Sequence, residues 1–395
     1  MTPTPGREPL FTREFTGLCL VIFLSYCNIA VFYSLYLHLD SLGVPEAWRG
    51  LLIGSSSLSM VALFVLATPH LTVGGAARNM VAGIAILACC GVGYLFAASV
   101  PALLFIRLAH GLALFLLTGS CMTLLVGIIP ASRSGQAFGV YSASMLLPFS
   151  IVPVLCDAAK PWLPSPAQDY ALMALLLVPA ALVARGLGRA VRARTSGQPP
   201  AAPLSFQEMC AGAVRAPVSV LLVVNAVYYV VFSAVFYLAK GLFLDRGLAE
   251  VGAFFSIQTA CMLAIRVLGN RIFDLVGKVI LVRLCYSLTG LGLVLTLILR
   301  NHTGLVASAL VLGLGMGLGV PALNAFMFSL SDARSRAVNA NLMILSLQLG
   351  NFCGPILGGL AVGLLGYDGL LGAMAGVCLA ALAGTIGFRE ARPSL

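Results

Sequence analysis

Apolar and polar residues in this chain are sorted into long blocks rather than alternated. Runs of about 20 apolar residues follow one another at 15–38, 50–70, 79–99, 102–128, 136–156, 168–185, 217–239, 250–268, 279–299, 304–330, 338–364 and 367–388. Twenty residues at 1.5 Å each give a helix of roughly 30 Å, the thickness of a bilayer's hydrocarbon core. The pattern predicts an all-α integral membrane protein with about twelve transmembrane helices. Several runs contain Pro or Gly, which membrane helices tolerate where neighbouring helices satisfy the freed backbone groups.

Composition agrees and excludes a soluble fold. Of 395 residues, 60% are hydrophobic and 9% charged, with a mean hydropathy of +1.03. Soluble domains carry about a quarter charged residues. The net charge of +10 is not a nucleic-acid footprint, because the basic residues are scattered through short loops without interleaved aromatics. The 11 cysteines sit mostly inside apolar runs, with no CxxC pair and no Cys/His metal spacing, so neither a metal nor a cofactor is expected. Residues 1–14 are polar and include Arg7 and Arg13, and the apolar stretch after them outruns a signal sequence, so it reads as an uncleaved first span.

Loop charge sets an expected orientation. With the N-terminus inside, the inner loops collect Arg7, Arg13, Arg78, Arg133, the arginines of 185–215, Arg266, Arg271, Lys278, Arg283, Arg334, Arg336, Arg389 and Arg392. The outer side keeps Arg49, Lys160, Lys240, Arg246 and Arg300. That asymmetry places both termini in the cytoplasm of a cell inner (plasma) membrane protein. Trp48 and Trp162 fall at the outer interface.

The longest loop, 186–215, carries several arginines and the segment Gln198-Pro199-Pro200. It divides the chain into an N-terminal half, 1–185, and a C-terminal half, 216–395. The two read as diverged copies at an offset of about 202 residues: Gly50 falls on Gly252, Met60 on Met262, Gly75 on Gly277, Gly111 on Gly313 and Pro153 on Pro355. Two six-helix pseudo-repeated halves related by an axis along the membrane normal would enclose a site near the midplane.

Three motifs follow. The loop between spans eight and nine reads Arg266-Val-Leu-Gly-Asn270-Arg271-Ile-Phe-Asp274-Leu-Val-Gly277-Lys278. Span four carries Arg107-Leu-Ala-His110-Gly111, and span eleven carries Gly350-Asn-Phe-Cys-Gly354-Pro355-Ile-Leu-Gly358-Gly359. Together these resemble the major facilitator superfamily over essentially the whole chain, and look closest to the bacterial drug/arabinose-efflux permeases. The first is similar to that family's cytoplasmic loop motif, the second to RxxQG with His for Gln, the third to the antiporter pattern GxxxGPxxGG. There are departures. Thr72 stands in the first-half loop where Asp274 stands in the second, and span five, where drug antiporters hold the antiporter pattern, has only Pro148 and Pro153.

Asp274 at a tight inner loop can face a helix N-terminus and pair with Arg266, Arg271 or Lys278, latching a gate. The Gly350/Gly354/Gly358 ridge lets span eleven pack closely on a neighbour, and Pro355 bends it. Ionisable groups inside spans are costly, which makes Arg107 and His110, three apart on one face, candidates for substrate binding and coupling. Arg107 either snorkels outward or binds an anionic group. His110, with an ordinary pKa of about 6.5, is suited to carry a proton, or is a packing histidine. Asp40, near the outer end of span one, joins them as a coupling candidate. Asp157, three residues from Lys160, reads as half of an interfacial ion pair. With no carboxylate at the middle of any span, a neutral or anionic solute is favoured over a cation. The resemblance implies that spans one, four, seven and ten line the cavity, which puts Asn28, Asn225, Tyr229 and Asn324 among the substrate-binding candidates.

The expected function is secondary active transport of a small organic solute by alternating access: efflux coupled to protons, or else uptake symport or facilitated diffusion. The expected partners are that solute, protons and the lipid bilayer, with the chain a monomer and no nucleic acid involved. An enzyme would need a clustered catalytic set, and His38, His70, His110 and His302 are far apart. A non-transporting sensor or scaffold would be expected to carry an extra domain.

Overall fold

The structure is a computed structural model that describes residues 10–67, 73–128, 134–195, 211–248, 251–268, 276–331 and 335–388. Among these residues every regular element is helical. Ten helices are long and apolar enough to cross a membrane, and Val251–Arg266 is a shorter apolar one. The longest, Arg336–Gly384, is two spans joined at Gly366, whose φ of 70° and ψ of −177° break the helix. The chain therefore has the twelve expected spans.

We number them α1 (Arg13–Ser41), α2 (Glu46–Ala67), α3 (Val73–Gly93), α4 (Val100–Ile128), α5 (Ser134–Ala159) and α6 (Pro166–Thr195, with a break at Leu176). The second set is α7 (Val218–Asp245), α8 (Val251–Leu268), α9 (Lys278–Ile298), α10 (His302–Leu330), α11 (336–365) and α12 (367–384). The near face is the one on which α1 begins; the far face carries the short turns 42–45, 160–165 and 299–301. Bulky side chains such as Phe96, Phe105, Leu182, Ile298, Leu364 and Ile386 point outward and are exposed. Lipid, not water, is the solvent that accepts such a surface.

The expected repeat is visible in the helix contacts. Gly111 of α4 lies against the Ser56 carbonyl of α2, and Gly313 of α10 lies against the Gln258 carbonyl of α8. Gly50 of α2 lies against Pro355 and Ile356 of α11, and Gly252 of α8 lies against Val154 of α5, next to Pro153. Both partners in each pair shift by about the same 202 positions, so identities that stand out in the sequence mark equivalent close approaches. In each case a Cβ would strike a backbone atom of the neighbour. The turns after α1 and α7 also match. Gly43 (φ 72°) and Gly247 (φ 71°) end them, with Val44 N–H donating to the Leu39 carbonyl and Leu248 N–H to Phe243. This is the Schellman stop, which needs a left-handed residue.

Within the first set, α1 packs on α5 and α6, α3 on α4 and α6, and α2 on α4. Within the second, α7 packs on α11, α8 on α10, and α9 on α10 and α12. The sets meet through α2 with α11, α5 with α8, and the far part of α1 with α7.

One local feature positions the site. Between Val31 and Ser34 the first span tightens into a 3₁₀ turn. Such a turn re-aims the side chains on it. Phe32 lies beside Arg107, while Tyr33 reaches α5.

Candidate functional site

A cavity of ≈ 550 Å³ lies between the two sets of helices, lined by α1, α2, α4, α5, α7, α8, α10 and α11. Its deep end is marked by Phe32, Phe236 and Asn351; towards the near face it reaches Met122, Arg266 and Ala340. The walls between are largely apolar and aromatic, including Tyr26, Phe149, Tyr229 and Phe232. None of the described lining residues is acidic.

Arg107 sits at the deep end and is 3% exposed. Its Nη2 donates to the Ile53 carbonyl and the Ser56 hydroxyl, both at 2.6 Å, and its Nε donates to the Leu52 carbonyl at 3.3 Å. The guanidinium carbon lies 5.6 Å from the Phe32 ring centroid, with Tyr94 and Tyr237 in electrostatic reach. Arg107 does not snorkel. It is held inward by α2, and among the described residues no carboxylate lies within ion-pair distance. A buried cation with only neutral partners is costly, and an anion in the cavity would relieve that cost.

His110 lies one helical turn along the same face, 2% exposed, edge-on to Phe32 at 5.0 Å, with Nδ1 lacking a hydrogen-bond partner among the described residues. Asn225 lines the cavity but spends its amide on the Met343 carbonyl (3.1 Å) and the Ser346 hydroxyl (2.7 Å), tying α7 to α11. Tyr229 and Asn324 also line the cavity. Of the substrate candidates the structure thus gathers Arg107, His110, Asn225, Tyr229 and Asn324.

Two candidates stand apart. Asn28 is fully buried, against Gly91 of α3, and is not a cavity residue. The cavity face of α1 runs through Tyr26, Ile29 and Phe32, and Asn28 is about 100° round the helix from Ile29. Asp40 is bound to Arg49 at 2.6 Å in the turn region of the far face, its side chain 55% exposed, which leaves it outside the cavity.

The gating candidates divide. Asp274 and Arg271 lie outside the described residues. Gly277 and Lys278 form the start of α9. Arg266, grouped with the loop motif, lies inside α8 as the span 250–268 has it, and it lines the cavity. The Gly350/Gly354/Gly358 ridge packs on α7, against Ala226, Tyr229, Val230, Ser233 and Leu238. Pro355 is instead at the contact with Gly50 of α2.

The far face is shut by a cluster that the sequence does not foreshadow. Asp157 of α5 accepts from the Tyr33 hydroxyl (2.9 Å), from Lys240 Nζ of α7 (3.4 Å) and from the Gly252 N–H at the start of α8 (2.9 Å). Lys240 also donates to Tyr33 at 3.0 Å. The expected Asp157–Lys160 pair is therefore corrected. Asp157 joins helices of both sets, and Lys240 is not in an outer loop but within α7, 5% exposed. Its buried ammonium needs a partner, and at three residues' spacing Lys160 cannot compete with one enclosed in the same seam.

The family model described as Major Facilitator Superfamily matches residues 18–337 and 221–394. No curated relative matches the chain in sequence. Among solved structures, the human organic anion transporter MFSD10 (TETRAN) is similar with a TM-score of 0.66 and 17% identity, over 96% of this chain and 100% of that one. A bacterial homolog of the human lysosomal transporter Spinster, inward-facing and occupied, is similar with a TM-score of 0.71 and 15% identity, over 96% and 97% of the two chains. With its twelve spans, its repeated helix contacts and a central cavity, the chain is a multi-pass membrane transporter that belongs to the Major Facilitator Superfamily.

Proposed function

We propose that the chain moves a small organic anion with an apolar or aromatic body by alternating access, and that Arg107 is its principal anchor. The observation that carries this reading is the cavity's charge. It holds a buried guanidinium whose described partners are all neutral, aromatic walls, and no acid among its described lining residues. A charge-assisted hydrogen bond to a carboxylate is among the stronger contacts such a site can make. A lipophilic cation would meet Arg107 and Arg266 with no acid among the described lining residues to offset them. The similar human protein named as an organic anion transporter points the same way.

In this reading the halves 1–185 and 216–395, joined by 186–215, rock about the cavity. The near face is cytoplasmic, in a cell inner membrane, and the form described is inward-facing, with the Asp157 seam closing the outside. Efflux is the direction, as the likeness to drug/arabinose-efflux permeases implies. His110 is the group for proton coupling, one turn from Arg107. An inside-negative potential assists the exit of an anion by about 2.3 kcal/mol per charge at 100 mV.

Flux in proteoliposomes tests this. Biphenyl-4-carboxylate should exchange across the membrane and its neutral amide should not, and Arg107→Gln should remove the acid's flux. Equal transport of acid and amide, or unchanged flux in Arg107→Gln, would overturn the anion reading. Imposing a pH gradient at zero potential separates proton coupling from potential-driven movement: uphill flux that ignores the gradient removes His110 from the account.

A further inference from the structure

Arg266 was expected in a gate motif, yet it is a cavity residue near the opposite end from Arg107. Its Nη1 donates to the Ser142 hydroxyl of α5 at 3.0 Å, while its Nε is buried with no hydrogen-bond partner among the described residues. Serine carries no charge, so this bond does not neutralise the guanidinium, and the unused Nε–H is a donor left over in a water-poor place.

The spacing of the two arginines follows from the repeat. Arg107 is held by Ile53 and Ser56 of α2, flanking Gly54, and at the offset of about 202 Gly54 corresponds to Ser256 of α8. Arg266 is ten residues further along α8, or about 15 Å at 1.5 Å per residue. Between those levels the walls present Met60, Leu114, Phe149, Tyr229, Phe232 and Met262. The cavity is therefore cationic at both ends and largely apolar and aromatic between them.

We infer that Arg266 is a second anion site, and that the solute matching both ends is an elongated dianion with an apolar core, such as a dicarboxylate whose acid groups are separated by a rigid hydrocarbon body. This rests on the anion reading above and extends it. One anionic group meets Arg107 while the other meets the Arg266 side chain where it lines the cavity. The second contact also touches both sets of helices, because Arg266 bonds to Ser142 across the α5–α8 contact. A dianion would thus engage the two sets at two levels, as a monoanion at Arg107 does not.

The test measures binding to the purified full-length chain, by thermal stabilisation against concentration, for biphenyl-4,4′-dicarboxylate and biphenyl-4-carboxylate. The diacid should bind roughly tenfold tighter or more, the gain expected of one further charge-assisted hydrogen bond. In Arg266→Gln that advantage should vanish, in Arg266→Lys most of it should survive, and in Arg107→Gln both acids should weaken. Equal binding of the two acids by the unaltered chain, or a diacid advantage that persists in Arg266→Gln, would overturn the second site while leaving the Arg107 reading intact. Failure of both acids to bind would overturn the two together. The lysine variant guards against a Gln variant that merely misfolds.

Discussion

Asp157→Asn removes a charge from the far-face seam while keeping its shape. In the closed seam that charge faces Lys240 at 3.4 Å, the Tyr33 hydroxyl and the Gly252 N–H, with side-chain exposures of 6% for Lys240 and 19% for Asp157. Deleting one partner of a fully buried pair costs about 3–5 kcal/mol. Here Asp157 is partly solvated and Lys240 keeps its bond to Tyr33, so about 2 kcal/mol is the reasonable loss. If the open form makes none of these contacts, the closed form alone is destabilised, and the open population rises roughly 30-fold. Cys156, next to Asp157 and 3% exposed, reports this directly. In a variant keeping only that cysteine, its alkylation from the far face by a membrane-impermeant maleimide should speed up by about the same factor. Adding Lys240→Met should restore much of the slow rate, because a neutral pair no longer strands a charge. Equal rates with and without Asp157→Asn would refute the seam as a latch.

Two further perturbations follow from close approaches and backbone geometry. Gly50→Ala places a Cβ 2.5 Å from the Pro355 carbonyl oxygen and 2.7 Å from Ile356 Cα, so α2 and α11 must part, and Cys156 alkylation should rise although the change lies across the seam from it. Unchanged labelling would mean that the two contacts open independently. Gly366→Ala meets no atom within 4 Å, yet holds φ 70° and ψ −177°, a region essentially restricted to glycine, so it should cost about 1–3 kcal/mol in a thermal melt through backbone strain alone. A melt unaltered from the parent would refute that assignment.

The fold was legible because a bilayer imposes one rule on every span: length and apolarity are written locally, and the helix must satisfy its own backbone. Even the repeat could be read, since Gly50, Gly111, Gly252 and Gly313 mark places where one backbone touches another. The site was legible in part. Arg107 and His110 stood out as ionisable groups in apolar surroundings. Asn28 was misplaced because belonging to a lining span does not fix which way a residue faces; the rotation of α1 does. Arg266 lies within the span read as 250–268 but was grouped with the loop motif that follows it; that it faces the cavity is set by the rotation of α8, which an apolar run does not fix. The Asp157–Lys240 pair joins residues far apart in the chain, so no local spacing could reveal it, and proximity in sequence pointed to Lys160 instead.

Alternating access about this cavity is most directly tested by the distances across both faces of the same protein. Spin labels at Ser41 and Asp245 span the far face, and labels at Arg185 and Gly387 span the near face; all four positions are exposed. In proteoliposomes, double electron–electron resonance should show a second population in which the far-face distance is longer and the near-face distance shorter. Asp157→Asn should enrich both changes together. A single distance at each face, unmoved by Asp157→Asn and by biphenyl-4-carboxylate, would contradict the account.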